Sequence, residues 1–120
     1  MTHPVIERRR AEQRARLELA RSWAESLARR LEVTTAVVFG SSVRGDFNKW
    51  SDIDVLVISP ALPQEARQRL ELLMRDTPLG VQPVGWTAEE YARRLARGDP
   101  IARECKEAGL IVWGALPTVA

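Results

Sequence analysis

The chain has 120 residues, of which 45% are hydrophobic and 28% are charged, with a formal net charge of +2 and a single cysteine. This is the length of one ordinary domain, and one cysteine excludes an internal disulfide framework and a cysteine-rich zinc site. The apolar runs are far shorter than the roughly 18 residues that a membrane-spanning helix needs. The first residues are charged where a signal peptide would be apolar. We therefore expect a single-domain, cytoplasmic protein that does not bind a membrane.

The first element is a long helix, predicted over residues 5–31 because apolar side chains recur at steps of three and four from Leu17 to Leu31. Residues 1–32 hold eight Arg and five Glu. Several of these lie four residues apart, a spacing typical of an ion-paired, solvated surface, so nucleic acid is not the expected partner. We expect the beginning of the helix, with Val5 and Ile6, to project beyond the domain as a docking element.

The rest of the chain alternates between strands and helices. The predicted elements are strands at 33–39, 51–58, 81–86 and 110–113, a short helical turn after Gly40, and helices at 63–74, from Thr87 to Ala96 and between Asp99 and Gly109. In the helix at 63–74, Leu70, Leu73 and Met74 are predicted to point inward. The strand at 81–86 contains Pro83, which favours a sheet edge. The order predicts an α/β (α+β) domain over residues 33–120, a small sheet covered by helices, with the helix of residues 1–32 packed on it.

Two features of this segment indicate chemistry. Asp52 and Asp54 are one residue apart on a predicted strand, so both carboxylates leave the same face. A divalent cation is a natural reason to hold two like charges together, and Mg²⁺ takes such oxygen ligands together with substrate phosphates. The turn Gly40-Ser41-Ser42 follows a buried strand; glycine allows close approach of a ligand, and the serines offer hydroxyl and N–H donors to an anion. Together these features predict a site for a nucleoside triphosphate and a metal ion.

The same residues also allow a purely structural interpretation. The Gly-Ser-Ser turn is then an ordinary turn, and the two aspartates face solvent with Arg44 or Lys49 as counter-charges. Under the functional interpretation, Lys49 is a candidate contact for phosphate instead. Trp50 and Trp86 flank the predicted site and are candidates for stacking on a base.

The stretch Gly40-Ser41-x-x-Arg44-Gly45 followed by Ser51-Asp52-x-Asp54 resembles the signature of the DNA-polymerase-β-like nucleotidyltransferase superfamily, and most of all its minimal, single-domain members. The resemblance covers about 19 of the 120 residues. It implies the nucleotidyltransferase fold, a short mixed sheet flanked by helices. It further implies that Gly40 and Ser41 bind the triphosphate, with Ser42 in the same turn, that Asp52 and Asp54 hold Mg²⁺ as the catalytic pair, and that Arg44 supports the phosphate.

The implied reaction is transfer of a nucleoside monophosphate, AMP from Mg²⁺–ATP in our interpretation, to a hydroxyl group of a protein or small acceptor. Minimal members are often paired with a small helical HEPN-type protein in toxin–antitoxin modules, where the nucleotidyltransferase is the antitoxin. The resemblance therefore implies such a partner, or a homo-oligomer.

One residue departs from the family pattern. Active members usually place a third carboxylate on the next strand, and Gln82 stands at that position here. A glutamine amide cannot act as a base at neutral pH. Asp46 and Asp76 are the nearest alternatives in the sequence. The alternative hypothesis is therefore a catalytically weak or inactive member, a binding module or antitoxin that acts through its partner.

Overall fold

The chain folds into a four-stranded sheet with helices on both faces. A computed structural model describes residues 3–118. Its elements are α1 (Pro4–Ala28), β1 (Thr35–Phe39), α2 (Ser41–Arg44), β2 (Ile53–Ile58), α3 (Ala66–Met74), β3 (Val81–Trp86), α4 (Ala88–Ala96), α5 (Pro100–Ala108) and β4 (Leu110–Gly114). The predicted order of helices and strands and the α+β class are confirmed.

The sheet is mixed, with strand order β3-β2-β1-β4. Strand β1 is antiparallel to β2 and β4, whereas β3 is parallel to β2. The prediction that the strand with Pro83 lies at an edge is confirmed, since β3 has only β2 as a neighbour. This topology brings the end of β1 and the beginnings of the other three strands to one end of the sheet, which is where the site lies.

The two central strands, β1 and β2, are buried on both faces, which explains their almost continuous apolar sequence. On one face, side chains of α1 and α3, including Trp23, Leu27 and Leu73, pack on alternate residues of the strands. On the other face, Tyr91 of α4 and Cys105 of α5 pack on the remaining strand residues. Two cores therefore hold the sheet between them.

Helix α1 ends at Ala28, three residues before the predicted end. Val5 and Ile6 are exposed as expected. The helix already contacts the domain from its second turn, because Arg9 donates to the carbonyl groups of Gly45 and Phe47. The part of the helix before these contacts is therefore short, and it contains Val5 and Ile6. Within residues 3–118, no helix combines the length and the apolar character needed to cross a bilayer.

Helix α3 corrects two predictions. It begins at Ala66 and not at Pro63, because the carbonyl group of Pro63 accepts a hydrogen bond from the Arg69 side chain at 2.8 Å. Only Leu73 of the three predicted inward side chains is buried; Leu70 and Met74 are exposed. The helix covers an edge of the sheet beside β3. A narrow apolar stripe is enough to bury the side chains that pack there.

Candidate active site

The turn after β1 lies directly against the carboxylate of Asp54. Gly40 has φ of +82°, a conformation that side chains disfavour. A Cβ atom at Gly40 would lie 2.7 Å from Oδ2 of Asp54, closer than the two atoms can approach. Phe39 and Asp54 are direct partners in the β1–β2 ladder, which fixes this closeness. Glycine is therefore required here both for its backbone conformation and for the space it leaves.

The two predicted carboxylates lie together. Asp52 is exposed and lies one residue before β2, whereas Asp54 is the second residue of the strand and is half-buried. Burial raises the pKa of Asp54 above its ordinary value of 3.8, and the negative charges of Asp52 and Glu104 raise that pKa further against the opposing effect of Arg44. Among the described residues, neither aspartate forms an ion pair. The pair thus has no direct ion-pair partner in this part of the chain and is available to a cation.

Glu104 of α5 is a third carboxylate at the site. Its Oε2 atom accepts a hydrogen bond from the backbone N–H of Gly40 at 2.5 Å. The same oxygen accepts from Nη1 of Arg44 at 3.2 Å. A carboxylate oxygen therefore occupies two donors of the turn that the sequence assigned to phosphate.

The two basic residues of the site do not neutralise the aspartates. Arg44 pairs with Asp46 through Nε and with Glu104 through Nη1. Lys49 lies with its Nζ atom 5.1 Å from the ring centre of Trp50, whose side chain is 81% exposed. The interpretation in which Arg44 or Lys49 is the counter-charge of the aspartates therefore has no support in the contacts of residues 3–118.

The serines of the turn differ from each other. Ser41 begins α2 and is partly exposed, next to the site. Ser42 is fully buried, and its hydroxyl oxygen accepts a hydrogen bond from Nη1 of Arg16 at 3.3 Å. The Ser42 hydroxyl thus faces α1, while Ser41 retains a side chain near the surface of the turn.

Helix α1 holds the segment between the turn and β2. Arg16 donates from Nη1 to the carbonyl of Ser51 at 3.0 Å and from Nη2 to the carbonyl of Asn48 at 2.8 Å. Gln13 donates to the carbonyls of Ser42 and Val43. These bonds connect the Gly-Ser turn to the residue that precedes Asp52.

Gln82 lies where the sequence predicted it, on the strand next to that of Asp54. Gln82 is the direct partner of Asp54 in the parallel β2–β3 ladder, and it is exposed. Of the sequence alternatives, Asp46 is paired with Arg44, and Asp76 lies after α3 at a positive φ of 60°. Besides Asp52, the carboxylate whose charge acts on Asp54 is that of Glu104.

The prediction that Trp86 flanks the site is wrong. Trp86 ends β3 at the opposite end of the sheet, where it is paired with Ile58 and buried. The guanidinium group of Arg94 lies 4.7 Å above its ring. Because β3 is parallel to β2, the residue that begins β3 is near the site and the residue that ends it is not.

The donor chemistry fits the metal ion that the pattern implies. Asp52 and Asp54 supply carboxylate oxygens, and Mg²⁺ is commonly bound by one or two carboxylates together with water and substrate phosphates. Among residues 3–118, no group of three or more His, Cys, Asp or Glu side chains is arranged to hold a metal ion. The two aspartates therefore fit a Mg²⁺ ion that shares its remaining ligands with a substrate.

Sequence reasoning missed Glu104 and the contacts from α1. Glu104 is 64 residues from Gly40, and nothing in the local sequence connects them. The α1 contacts had a signal: Arg9, Gln13 and Arg16 continue, at steps of four and three, the stripe that leads on to Ala20 and Leu27. A polar continuation of an apolar stripe indicates a helix face that stays in contact with the domain.

Comparisons with known proteins identify the family of the chain. A family model described as a nucleotidyltransferase domain matches residues 20–102. Because this is more than half of the sequence, the chain belongs to the nucleotidyltransferase domain family. The predicted resemblance is confirmed.

The structure is similar to the crystal structure of a candidate nucleotidyltransferase from Sulfolobus solfataricus. The two are 20% identical, with a TM-score of 0.68 over 93% of this chain and 92% of that chain. At this identity, the likeness establishes the fold. Curated proteins give no match.

Proposed function

We propose that the protein transfers AMP from Mg²⁺–ATP to a hydroxyl group of a protein or small-molecule acceptor, in the cytoplasm. The hydroxyl oxygen attacks the α-phosphorus, the bond from that phosphorus to the bridging oxygen breaks, and pyrophosphate leaves. The hydroxyl proton passes to solvent water, since Gln82 cannot accept it. This proposal goes further than family membership, which by itself indicates nucleotidyl transfer in general.

The observation that carries the proposal is the contact between the Gly40 turn and the Asp54 carboxylate, with Asp52 beside it. Asp52 and Asp54 would hold Mg²⁺, which supplies positive charge to the phosphate oxygens when bound. Gly40 and Ser41 would orient the triphosphate through N–H and hydroxyl donors. Arg44, which pairs with the carboxylates of Asp46 and Glu104, would bind phosphate as a fixed positive charge.

Calorimetric titration with Mg²⁺–ATP tests this site. We expect saturable binding that is lost when EDTA replaces Mg²⁺ and that weakens at least tenfold in Asp52→Asn, because one of two metal ligands loses its charge. Glu89→Gln is the matched control, since Glu89 is an exposed carboxylate in the first turn of α4, at the other end of the sheet. Absence of metal-dependent heat in the wild-type chain would refute the proposal.

A second candidate function follows from Gln82. Its amide lies beside Asp54 in the ladder, where the family pattern has a carboxylate, so a member that binds nucleotide without turnover is the alternative. Transfer of label from ATP to an acceptor separates the two. We expect Gln82→Asp to increase transfer about tenfold or more, because a third carboxylate can ligate the metal and accept a proton. If Gln82→Asp transfers label no faster than the wild-type chain, the rate of transfer is limited by something other than Gln82.

We further propose that the protein acts with a partner, a small helical HEPN-type protein of a toxin–antitoxin module, or with a second copy of itself. The exposed apolar residues Val5 and Ile6 at the start of α1, and Ile111 and Trp113 on the edge strand β4, support such a contact. Light scattering on the purified chain, alone and mixed with the protein encoded beside it, would distinguish a hetero-complex from a homo-oligomer and from a monomer.

A further inference from the structure

The carboxylate of Glu104 is bound where the proposed function requires an anionic ligand. Gly40 offers its backbone N–H to Oε2, and Arg44 offers Nη1 to the same oxygen. A backbone N–H and a guanidinium group converging on one oxygen form the same donor set that binds a phosphate oxygen. Glu104 therefore occupies the turn as a phosphate group would.

This arrangement places three carboxylates around one turn. Glu104 and Asp52 both act on the half-buried Asp54, and the charge of Arg44 opposes them at that residue. Arg44 is itself shared between Glu104 and Asp46. A triphosphate entering beside Glu104 would add negative charge to a site that already has an excess of it.

We propose that Glu104 occupies the anion position of the Gly40 turn in the nucleotide-free protein and has to leave that position when a triphosphate binds, so that Glu104 sets the affinity for nucleotide. This inference rests on the proposed function. The Glu104 side chain is 34% exposed and can turn toward solvent, where its charge stays hydrated. Helix α5 need not move, because the neighbouring Ala102 and Cys105 remain anchored in the core.

Two other roles for Glu104 make the opposite prediction. If Glu104 is only a support for the turn, its removal loosens Gly40 and weakens nucleotide binding or leaves it unchanged. If Glu104 is a further ligand of the metal ion, its removal weakens the metal-dependent binding. A carboxylate that competes with phosphate instead gives tighter binding when it is removed, so the sign of the change in affinity separates this role from the other two.

The experiment compares Glu104→Gln and Glu104→Ala with the wild-type chain. Glu107→Gln is the matched control, because Glu107 lies on the same helix, carries the same charge, and is exposed beside Arg103. The probes are Mg²⁺–ATP and inorganic tripolyphosphate with Mg²⁺, titrated by calorimetry. Thermal unfolding of each variant confirms that it is folded.

We expect Glu104→Gln and Glu104→Ala to bind both probes about tenfold more tightly than the wild-type chain, since one like charge next to the phosphate is removed. Glu107→Gln should bind as the wild-type chain does. If the wild-type chain binds the probes and the folded Glu104 variants bind them equally or more weakly, the inference about Glu104 is wrong. The proposed function is not affected by that result. If no variant binds Mg²⁺–ATP, the proposed function itself fails, and this inference fails with it.

Discussion

Asp54 illustrates the conflict between function and stability at a single residue. Its carboxylate is half-buried between Asp52 and Glu104, and burial together with these charges raises its pKa above 3.8. The folded chain therefore holds the proton of Asp54 more tightly than the unfolded chain does. It follows that the contribution of Asp54 to stability falls as the pH rises from about 3.8 through the raised pKa.

We therefore expect Asp54→Asn to raise the midpoint of thermal unfolding at pH 7 by about 2–5 °C, because the amide removes a charge that the folded state tolerates poorly. At pH 3, below the ordinary pKa of 3.8, the difference should shrink, since the carboxyl group is then largely protonated in the folded and the unfolded chain. The same variant should lose metal-dependent binding of ATP. Differential scanning calorimetry at the two pH values measures the first two effects.

Asp46→Asn is the control for this prediction. Asp46 is exposed, and its carboxylate is already compensated by Arg44 at 3.3 Å, so its removal should not stabilise the chain. A lower unfolding midpoint of Asp54→Asn at pH 7 would contradict the assignment of Asp54 as a destabilising charge.

At the scale of single residues, the sequence predicts what is local. Gly40, Asp52 and Asp54 were predicted because a turn after a buried strand and an alternation on the next strand are both properties of short stretches. The orientation of Ser42 was not predicted, because the residue that binds its hydroxyl, Arg16, is 26 residues away in the sequence. Glu104 was not predicted either, because only the pairing of β4 with β1 brings α5 to the site.

At the scale of elements, α1 acts as a brace for the segment that carries the site. The ring of Phe47 lies between the guanidinium groups of Arg9 and Arg16, at 4.2 and 4.4 Å from its centre. Arg16 also donates to three oxygen atoms, those of the Ser42 hydroxyl and of the Asn48 and Ser51 carbonyls. The segment between α2 and β2 has no regular structure of its own, so these contacts determine its path.

We expect Arg16→Ala to lower the free energy of unfolding by about 1–3 kcal/mol, since charge-assisted hydrogen bonds and a cation–π contact are lost together. Backbone amides of residues 42–51 should also exchange hydrogen faster. Chemical denaturation and hydrogen exchange measure the two effects. Arg14→Ala is the matched control on the same helix; Arg14 is exposed, and its loss should change stability by less than about 0.5 kcal/mol.

The later start of α3 shows why boundaries of elements are harder to predict than their existence. Proline at the first position of a helix is a reliable local preference, and it favoured a start at Pro63. The buried side chain of Leu62 and the bond from Arg69 to the Pro63 carbonyl hold this stretch outside the helix. Both contacts depend on the packing of α3 against the sheet, which the local sequence does not contain.

At the scale of the whole molecule, the arrangement of the sheet was predictable to a large extent. The sequence predicted a buried strand at 33–39 and a second strand at 51–58, and Pro83 indicated an edge. The family resemblance implied a mixed sheet, but the parallel pairing of β2 with β3 was not predicted. That pairing also decides which end of β3 lies near the site, and for this reason the prediction for Trp86 was wrong.

The distribution of charge over the molecule argues against nucleic acid as a ligand. The basic excess lies in residues 1–32, but Arg9 and Arg16 point toward carbonyl groups of the domain. The ion pairs within α1 are Arg9 with Glu12 and Arg21 with Glu18, three residues apart and not four as predicted. Acidic side chains are thus interleaved with the basic ones on this surface, which gives little accumulation of positive potential.

We therefore expect the protein to bind double-stranded DNA of mixed sequence no more tightly than about 10⁻⁴ M at 0.15 M salt, the weak end of non-specific binding. Fluorescence anisotropy of a labelled duplex across a range of salt concentrations measures this. Micromolar affinity that falls steeply with salt would contradict the expectation, because it requires several phosphate contacts made by basic groups in one continuous patch. Replacing the exposed Arg8, Arg10 and Arg14 by Gln would then show whether the outer face of α1 forms that patch, since such binding should be lost.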